Sequence, residues 1–170
     1  MSIAETLLPD FDDEAAITRK FLELIPDDKL SWKPHRKSME LGQLAWHLAE
    51  IPGWCLAILG GDILKMSQAD AAQYAHSHAG KQRADMLANF DRKLPEARAA
   101  LAKAGDDDLN RRWKMEWEGQ VVIDSPRKDV LRKSVLNHMV HHRAQLGLYL
   151  RLNDIPIPGP YGPSADEMGG

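Results

Sequence analysis

The strongest hydrophobic pattern in the chain lies over residues 125–152. Apolar residues and histidines recur there at alternating steps of four and three, which places them on one face of an α-helix. This stripe consists of Leu131, Val135, His138, His142, Gln145 and Tyr149. Ser125 and Pro126 suit a helix start, because a serine hydroxyl caps free amides and proline loses nothing at the first helical position. We therefore predict one long helix whose inward face carries two histidines.

Three earlier segments also show helical spacing, and they cover residues 15–25, 38–61 and 81–104. Asp12 and Asp13 precede the first segment, and negative charges stabilise a helix N-terminus. The second segment is predicted to begin at Ser38. Pro52 predicts a kink or strain in the second segment, because proline removes a backbone donor. Pro95 predicts a bend or a division of the third segment.

The connections between these helices differ in character. Residues 62–80 show no regular period, so they are interpreted as an irregular connection with at most a helical turn. Trp113, Met115 and Trp117 alternate with charged residues before a Glu-Gly turn. This period of two predicts a short hairpin or an extended crossover before the last helix. The fold class predicted for the single domain, residues 1–170, is therefore all-α, a four-helix bundle.

The composition argues against a nucleic-acid-binding, membrane-spanning or disulfide-bonded protein. The chain has 22 basic and 25 acidic residues, a net charge of −3, and no basic block of the kind that grips nucleic acid. The apolar runs are shorter than a bilayer requires, and the N-terminus lacks the features of a signal peptide. The single cysteine, Cys55, excludes an intramolecular disulfide and is expected to be a small buried residue. We expect a soluble cytoplasmic protein without nucleic-acid or membrane partners.

The histidines suggest a metal site. His138 and His142 are four residues apart on one helical face, so their imidazoles can share an ion. His47 falls on the buried stripe of the second helix and is the candidate third ligand. The alternative is that these histidines are core residues that hydrogen-bond to neighbouring groups. His141 lies about 100° from the stripe. The remaining histidines are interpreted as solvated surface residues, and these are His35, His76 and His78.

Three segments carry motifs. A W-x-P loop leads into a helix with a histidine in LSWKPHRKSMELGQLAWHLAEI, two histidines precede Arg143 in NHMVHHRAQLGLYLRL, and the chain closes with IPIPGPYGPSADE. Together these segments resemble the DinB-like family, which includes YfiT-type proteins regarded as metal-dependent hydrolases. The second segment is similar to the family's H-x3-H-R-G-Q-L signature, with Ala144 in place of the usual glycine, and the third resembles the closing segment of many members.

The resemblance implies a four-helix bundle in up-down-down-up order, which is usually a homodimer. It also implies a divalent ion, often zinc or nickel, that is held by His47, His138 and His142. Three protein ligands leave coordination positions open, which favours reactivity, because structural zinc sites normally have four. Family members include S-transferases that use low-molecular-weight thiols, so a thiol co-substrate and a small-molecule substrate are expected. The alternatives are a metal-dependent hydrolase and a non-catalytic, stress-related metal-binding scaffold.

Four residues near these motifs are candidates for supporting roles. Glu50 follows His47 by three residues and is a candidate base, although a surface carboxylate is an equal alternative. Gln145 lies on the ligand stripe and is a candidate to orient water or substrate, or else a satisfied buried amide. Arg143 is a candidate for binding a carboxylate of a thiol cofactor, or for a structural salt bridge. Trp54 is expected either to wall the pocket or to belong to the core.

Overall fold

The computed structural model describes residues 1–77 and 79–169, and His78 lies outside the described residues. The fold is mostly helical with one small sheet, so the chain is not purely all-α. The helices are α1 Ile3–Glu23, α2 Leu41–Gly60, α3 Gln68–Ser77, α4 Arg83–Lys103, α5 Asp106–Asn110, α6 Arg127–Leu131 and α7 His138–Arg151. The strands are β1 Ile63–Met66, β2 Arg112–Trp117 and β3 Gln120–Pro126. Within the described residues, no helix is long and apolar enough to cross a membrane.

Side-chain caps move two predicted helix starts. Helix α1 begins at Ile3, well before Asp13, because Ser2 and Glu5 form a reciprocal capping box. Helix α2 begins at Leu41 rather than at Ser38, and there Gln43 accepts a hydrogen bond from the amide of Glu40. The prolines inside α2 and α4 do not divide them, since both helices continue through Pro52 and Pro95.

The last helix is continuous but not uniformly α-helical. It begins at Arg127, since Ser125 belongs to β3 and does not cap the helix. A π-helical segment, Arg132–Asn137, separates α6 from α7. The buried pairs before and within this segment, Val130–Leu131 and Val135–Leu136, are five residues apart. An α-helix would rotate the second pair away from the core, whereas a wider π turn keeps both pairs buried.

The predicted hairpin is confirmed, and it is part of a larger sheet. Strands β2 and β3 pair antiparallel, and Trp117 lies opposite Gln120 across a two-residue turn. Glu118 and Gly119 both have positive φ, at 49° and 76°, as a tight hairpin turn requires. Strand β1 pairs parallel with β2, so the irregular connection predicted for residues 62–80 was wrong. That segment contains β1 and the ten-residue helix α3.

The long helices pack against one another around a shared apolar core. Contacts between the helices show their directions. Helix α1 is antiparallel to α4, as the pairs Arg19–Asp91 and Arg98–Asp12 show, and α2 is parallel to α4, as Glu50–Lys93 and Cys55–Ala97 show. Helix α7 is antiparallel to α2, as His47–His138 and the contact of Tyr149 with Met39 before α2 show, and the last helix is parallel to α1, as Arg132–Asp10 and Arg143–Thr18 show. Helices α1 and α7 therefore run one way, and α2 and α4 run the other.

A buried arginine joins the sheet to the last helix. The Arg127 side chain is 3% exposed and donates to the carboxylates of Asp62 and Asp108 and to the carbonyl of Gly61. Arg111 donates to the same Asp62 carboxylate from a side chain that is 56% exposed. These bonds connect the end of α2, helix α5 and the start of α6, so they set where the last helix begins.

We predict that Arg127→Met lowers the free energy of unfolding by about 2 kcal/mol, because buried hydrogen bonds between charged groups are lost. The matched substitution Arg111→Met removes an exposed partner of the same carboxylate and should change stability by less than about 1 kcal/mol. Urea unfolding followed by circular dichroism measures both values. Equal losses would show that burial of Arg127 does not strengthen the junction.

Candidate metal centre

Two antiparallel helices bring the three predicted histidines together. His47 lies in the second turn of α2, His138 begins α7, and His142 follows one turn later. The Nε2 atom of His138 is 2.9 Å from Nε2 of His47 and 2.9 Å from Nε2 of His142. The three ligand atoms all lie within 4.8 Å of one another. Among the histidine, cysteine, aspartate and glutamate side chains that the structure describes, these three histidines form the group that could hold a metal ion.

The three histidine rings cannot satisfy one another by hydrogen bonds alone, and this favours a bound cation over three core histidines. His142 Nδ1 lies 2.8 Å from Oε1 of Gln145, an acceptor, so in a neutral ring Nδ1 carries the proton and Nε2 carries a lone pair. Nε2 of His138 faces two imidazole nitrogens, and one N–H can be directed at only one of them. A cation accepts lone pairs from all three rings. Nitrogens bound at about 2.0–2.1 Å can lie 2.9 Å apart, so the donor set fits a metal such as zinc.

Burial keeps the rings in the form that binds metal. The pKa of His138 is lowered to about 4, chiefly because the ring is desolvated and also because His142 and His141 lie nearby. Burial also lowers the pKa of His142, although the hydrogen bond to Gln145 opposes this shift. At neutral pH these imidazoles are therefore uncharged, and neutral imidazole is the ligand form.

Two of the predicted supporting residues contact the histidines. The Trp54 ring lies 5.2 Å from the His47 ring and 5.0 Å from the His138 ring, measured between centroids. Trp54 is half-buried and covers one side of the cluster. Gln145 is exposed overall, but its amide oxygen fixes the tautomer and orientation of His142. Such orienting partners commonly tune a metal ligand.

The two charged candidates have partners of their own. The Glu50 carboxylate pairs with Lys93 and accepts a hydrogen bond of 2.7 Å from Asn89 on α4. Arg143 is buried and forms an ion pair of 2.6 Å with Glu14. Its guanidinium also donates to Thr18 at 3.2 Å. These contacts match the structural alternative considered for Arg143.

The other described histidines and Cys55 do not belong to the cluster. His35 and His76 are exposed, in agreement with the sequence interpretation. His141 is also exposed, with its ring centroid 4.8 Å from that of His142. Cys55 is fully buried, and burial raises the pKa of its thiol to about 12, so it is not an activated nucleophile.

The partners of Glu50 and Arg143 were not predicted from the sequence. Asn89 and Lys93 were assigned only to a helix, although their spacing of four residues places both on one face of α4. The sequence allows the C-terminal segment with Tyr161 either to lie across the mouth of the bundle or to fray, and it does not indicate a partner. The Tyr161 hydroxyl donates to Glu14 and accepts from Arg143. Neither pairing has a local sequence signal, since each joins residues far apart in the chain.

Comparison with known proteins identifies the family. The family model described as the DinB family matches residues 1–168. The uncharacterized protein YrdA of Bacillus subtilis is 25% identical over 160 residues, which is 94% of this chain and 89% of that protein. The chain therefore belongs to the DinB family, as the sequence resemblance indicated.

Solved structures support the same fold. A DinB-like protein from Bacillus cereus has a TM-score of 0.67 and 20% identity, covering 91% of this chain and 95% of its own. YjoA, a DinB-like protein from Bacillus subtilis, has a TM-score of 0.66 and 18% identity, with coverage of 91% and 97%. A DinB-family member from Exiguobacterium sibiricum has a TM-score of 0.66 and 19% identity, with coverage of 94% and 97%. At these identities the likeness concerns the fold.

The lowered pKa of His138 predicts how the metal-free protein responds to acid. Between pH 6.5 and about 4 the unfolded chain binds a proton at this residue and the folded chain does not. The free energy of unfolding should therefore fall as the pH falls through this window. In His138→Gln this contribution is absent, so the decline should be shallower. Urea unfolding in the presence of chelator measures the slope, with exposed His35→Gln as the control. Identical slopes in all three proteins would contradict the burial of His138.

Proposed function

We propose that this member of the DinB family holds one divalent metal ion, zinc or nickel, through the Nε2 atoms of His47, His138 and His142. We further propose that it is an enzyme that transfers a low-molecular-weight thiol to a small electrophilic molecule. One observation carries the proposal. The Nε2 atom of His138 lies 2.9 Å from Nε2 of His47 and 2.9 Å from Nε2 of His142, so three imidazole nitrogens converge.

The number of protein ligands favours catalysis over a structural role. Structural zinc sites are normally closed by four protein ligands, whereas catalytic sites keep a position for water or substrate. Among the described residues, the cluster contains three histidines and no cysteine or carboxylate. A scaffold stabilised by metal would gain from a fourth ligand. An exchangeable position is what a thiol or a water molecule requires.

The protein side chains would position and shield the reacting groups. When bound, a divalent ion lowers the pKa of a thiol or a water molecule and so supplies a nucleophile near neutral pH. Gln145 holds the His142 ring so that Nε2 faces the centre. The Trp54 ring excludes water from the side that it covers. These two residues are proposed to position the ligand and to wall the pocket.

The favoured reaction balances without a redox partner. The thiol gives its S–H proton to solvent water, and the thiolate sulfur forms a bond to carbon. The leaving group departs from that carbon with the electron pair of the broken bond and takes up a proton from water. Hydrolysis of a small molecule is the competing use of the same centre, with water in place of the thiol. A non-catalytic metal-binding scaffold is the third possibility, and it requires no exchangeable ligand.

We also propose that α1, α2, α4 and the last helix form an up-down-down-up bundle and that the chain is a homodimer. The bundle is supported by the opposite directions of the pairs α1–α7 and α2–α4. The homodimer rests on the family resemblance, and size-exclusion chromatography with light scattering tests it.

Metal content tests the centre directly. We expect nearly one zinc or nickel ion per chain in protein purified without a histidine tag, because three imidazoles share one site. The substitutions His47→Ala, His138→Ala and His142→Ala, combined in one variant, should abolish binding. Elemental analysis by mass spectrometry measures the metal. His141→Ala is the matched control, since it alters an exposed histidine on the same helix and should keep the metal. Equal metal content in all proteins would disprove the assignment.

Thiol binding separates the proposed enzyme from its alternatives. The Co²⁺-loaded protein should develop a sulfur-to-cobalt charge-transfer band in the near ultraviolet when cysteine is added, because a thiolate can occupy an open position. Absorption titration measures the band, with serine as the control ligand. A Co²⁺ spectrum that is unchanged by any small thiol would reject thiol transfer and leave hydrolysis or a scaffold role.

A further inference from the structure

A half-buried polar cluster lies between α2 and α4, about one helical turn along α2 from His47. The side chains of Glu50 and Lys93 are 15% and 18% exposed and form an ion pair. Glu50 Oε2 accepts from the Lys93 ammonium, and Glu50 Oε1 accepts from Asn89 at 2.7 Å. Both oxygens of the carboxylate are thus engaged by residues of α4. Ion pairs in such half-buried places hold a side chain in one orientation more firmly than solvated pairs do.

The surface of α2 is shaped to admit this lysine. Gly53 follows Glu50 by three residues, and a Cβ atom built on it would lie 2.9 Å from Lys93 Cδ and 3.2 Å from Lys93 Nζ. Any larger residue would therefore push the end of the lysine side chain away. Glycine inside a helix destabilises it by roughly 1 kcal/mol relative to alanine. The lysine can lie across α2 only because this position has no side chain.

The cluster is close to the candidate metal centre. Glu50 is three residues after His47, so their Cβ atoms are about 5–6 Å apart on the same side of α2. Trp54, one turn further along, contacts both His47 and His138. Burial raises the pKa of the Tyr74 phenol on α3, and the charge of Glu50 nearby raises it further. Glu50 therefore lies between the histidine centre, α3 and α4.

We propose that Lys93 and Asn89 hold the Glu50 carboxylate off the metal, so that the ion keeps three histidine ligands and open positions. This inference rests on the proposed function, since it concerns the coordination of the same centre. Lys93 is a positioning residue in this arrangement, because it acts on the ion through Glu50. Gly53 acts in the same way, because it provides the space that Lys93 occupies.

The chemistry of carboxylates explains why such restraint is needed. Carboxylate oxygens are good ligands for divalent ions, and helical bundles use Glu and His three residues apart as joint ligands. In those bundles the glutamate precedes the histidine, whereas here His47 precedes Glu50 at the same spacing of three residues. An unrestrained Glu50 would be a half-buried anion close to a cation, and as a ligand it would occupy a position that substrate needs. The ion pair with Lys93 satisfies the charge of Glu50 without the metal.

The test uses the full chain loaded with Co²⁺, whose visible spectrum reports the number and type of its ligands. We expect Lys93→Met to change the Co²⁺ spectrum and to tighten Co²⁺ binding on the order of tenfold, because Glu50 becomes a ligand. The double variant with Lys93→Met and Glu50→Gln should restore the wild-type spectrum, since an amide is a poor ligand. Lys103→Met, an exposed lysine on the same helix, should leave both quantities unchanged.

A second variant guards against misfolding. Gly53→Ala keeps every charge and displaces only the flexible end of Lys93, so it should fold and change the spectrum in the same direction. Wild-type spectra and affinities in both Lys93→Met and Gly53→Ala would overturn this inference while leaving the metal site intact. A wild-type protein that binds no Co²⁺ would overturn both the inference and the proposed function.

Discussion

The structure depends on the antiparallel register of α2 against the last helix. His47 and His138 are 91 residues apart in the chain, yet their Nε2 atoms lie 2.9 Å apart. A shift of one residue in either helix would rotate a ring by about 100° and disperse the three nitrogens. The large buried side chains on the inner faces, among them Leu44, Leu48, Ile51 and Met139, hold this register because interiors tolerate little change in volume.

Buried arginines fix the last helix at two points along its length. Arg127 holds its start against Asp62 and Asp108, and Arg143 holds its middle against Glu14 of α1. The π-helical segment between them accommodates a five-residue step in the buried pattern, so both anchors and the histidines can face their partners. These two buried arginines therefore serve mainly to place the helix.

The features that could be predicted from the sequence are those encoded by neighbouring residues. The hairpin followed from alternation around Glu118 and Gly119, and the ligand pair followed from the four-residue step between His138 and His142. Strand β1 was missed because four residues are too few to show an alternating pattern, and its parallel partner β2 lies about 50 residues away. Helix α3 was missed together with it. The start of α1 was missed because Asp12 and Asp13 suit a helix N-terminus, whereas the helix uses the reciprocal cap of Ser2 and Glu5.

The sequence by itself determined the helical faces, the family and the identity of the three histidines, because periodicity and short motifs are local properties of the chain. Only the tertiary structure decided which neighbours those residues meet. It assigned Arg143 to Glu14, and it paired Glu50 with Lys93 across a surface opened by Gly53. The reason is that charge pairing and close packing depend on distances between helices, and no local pattern along the chain encodes those distances.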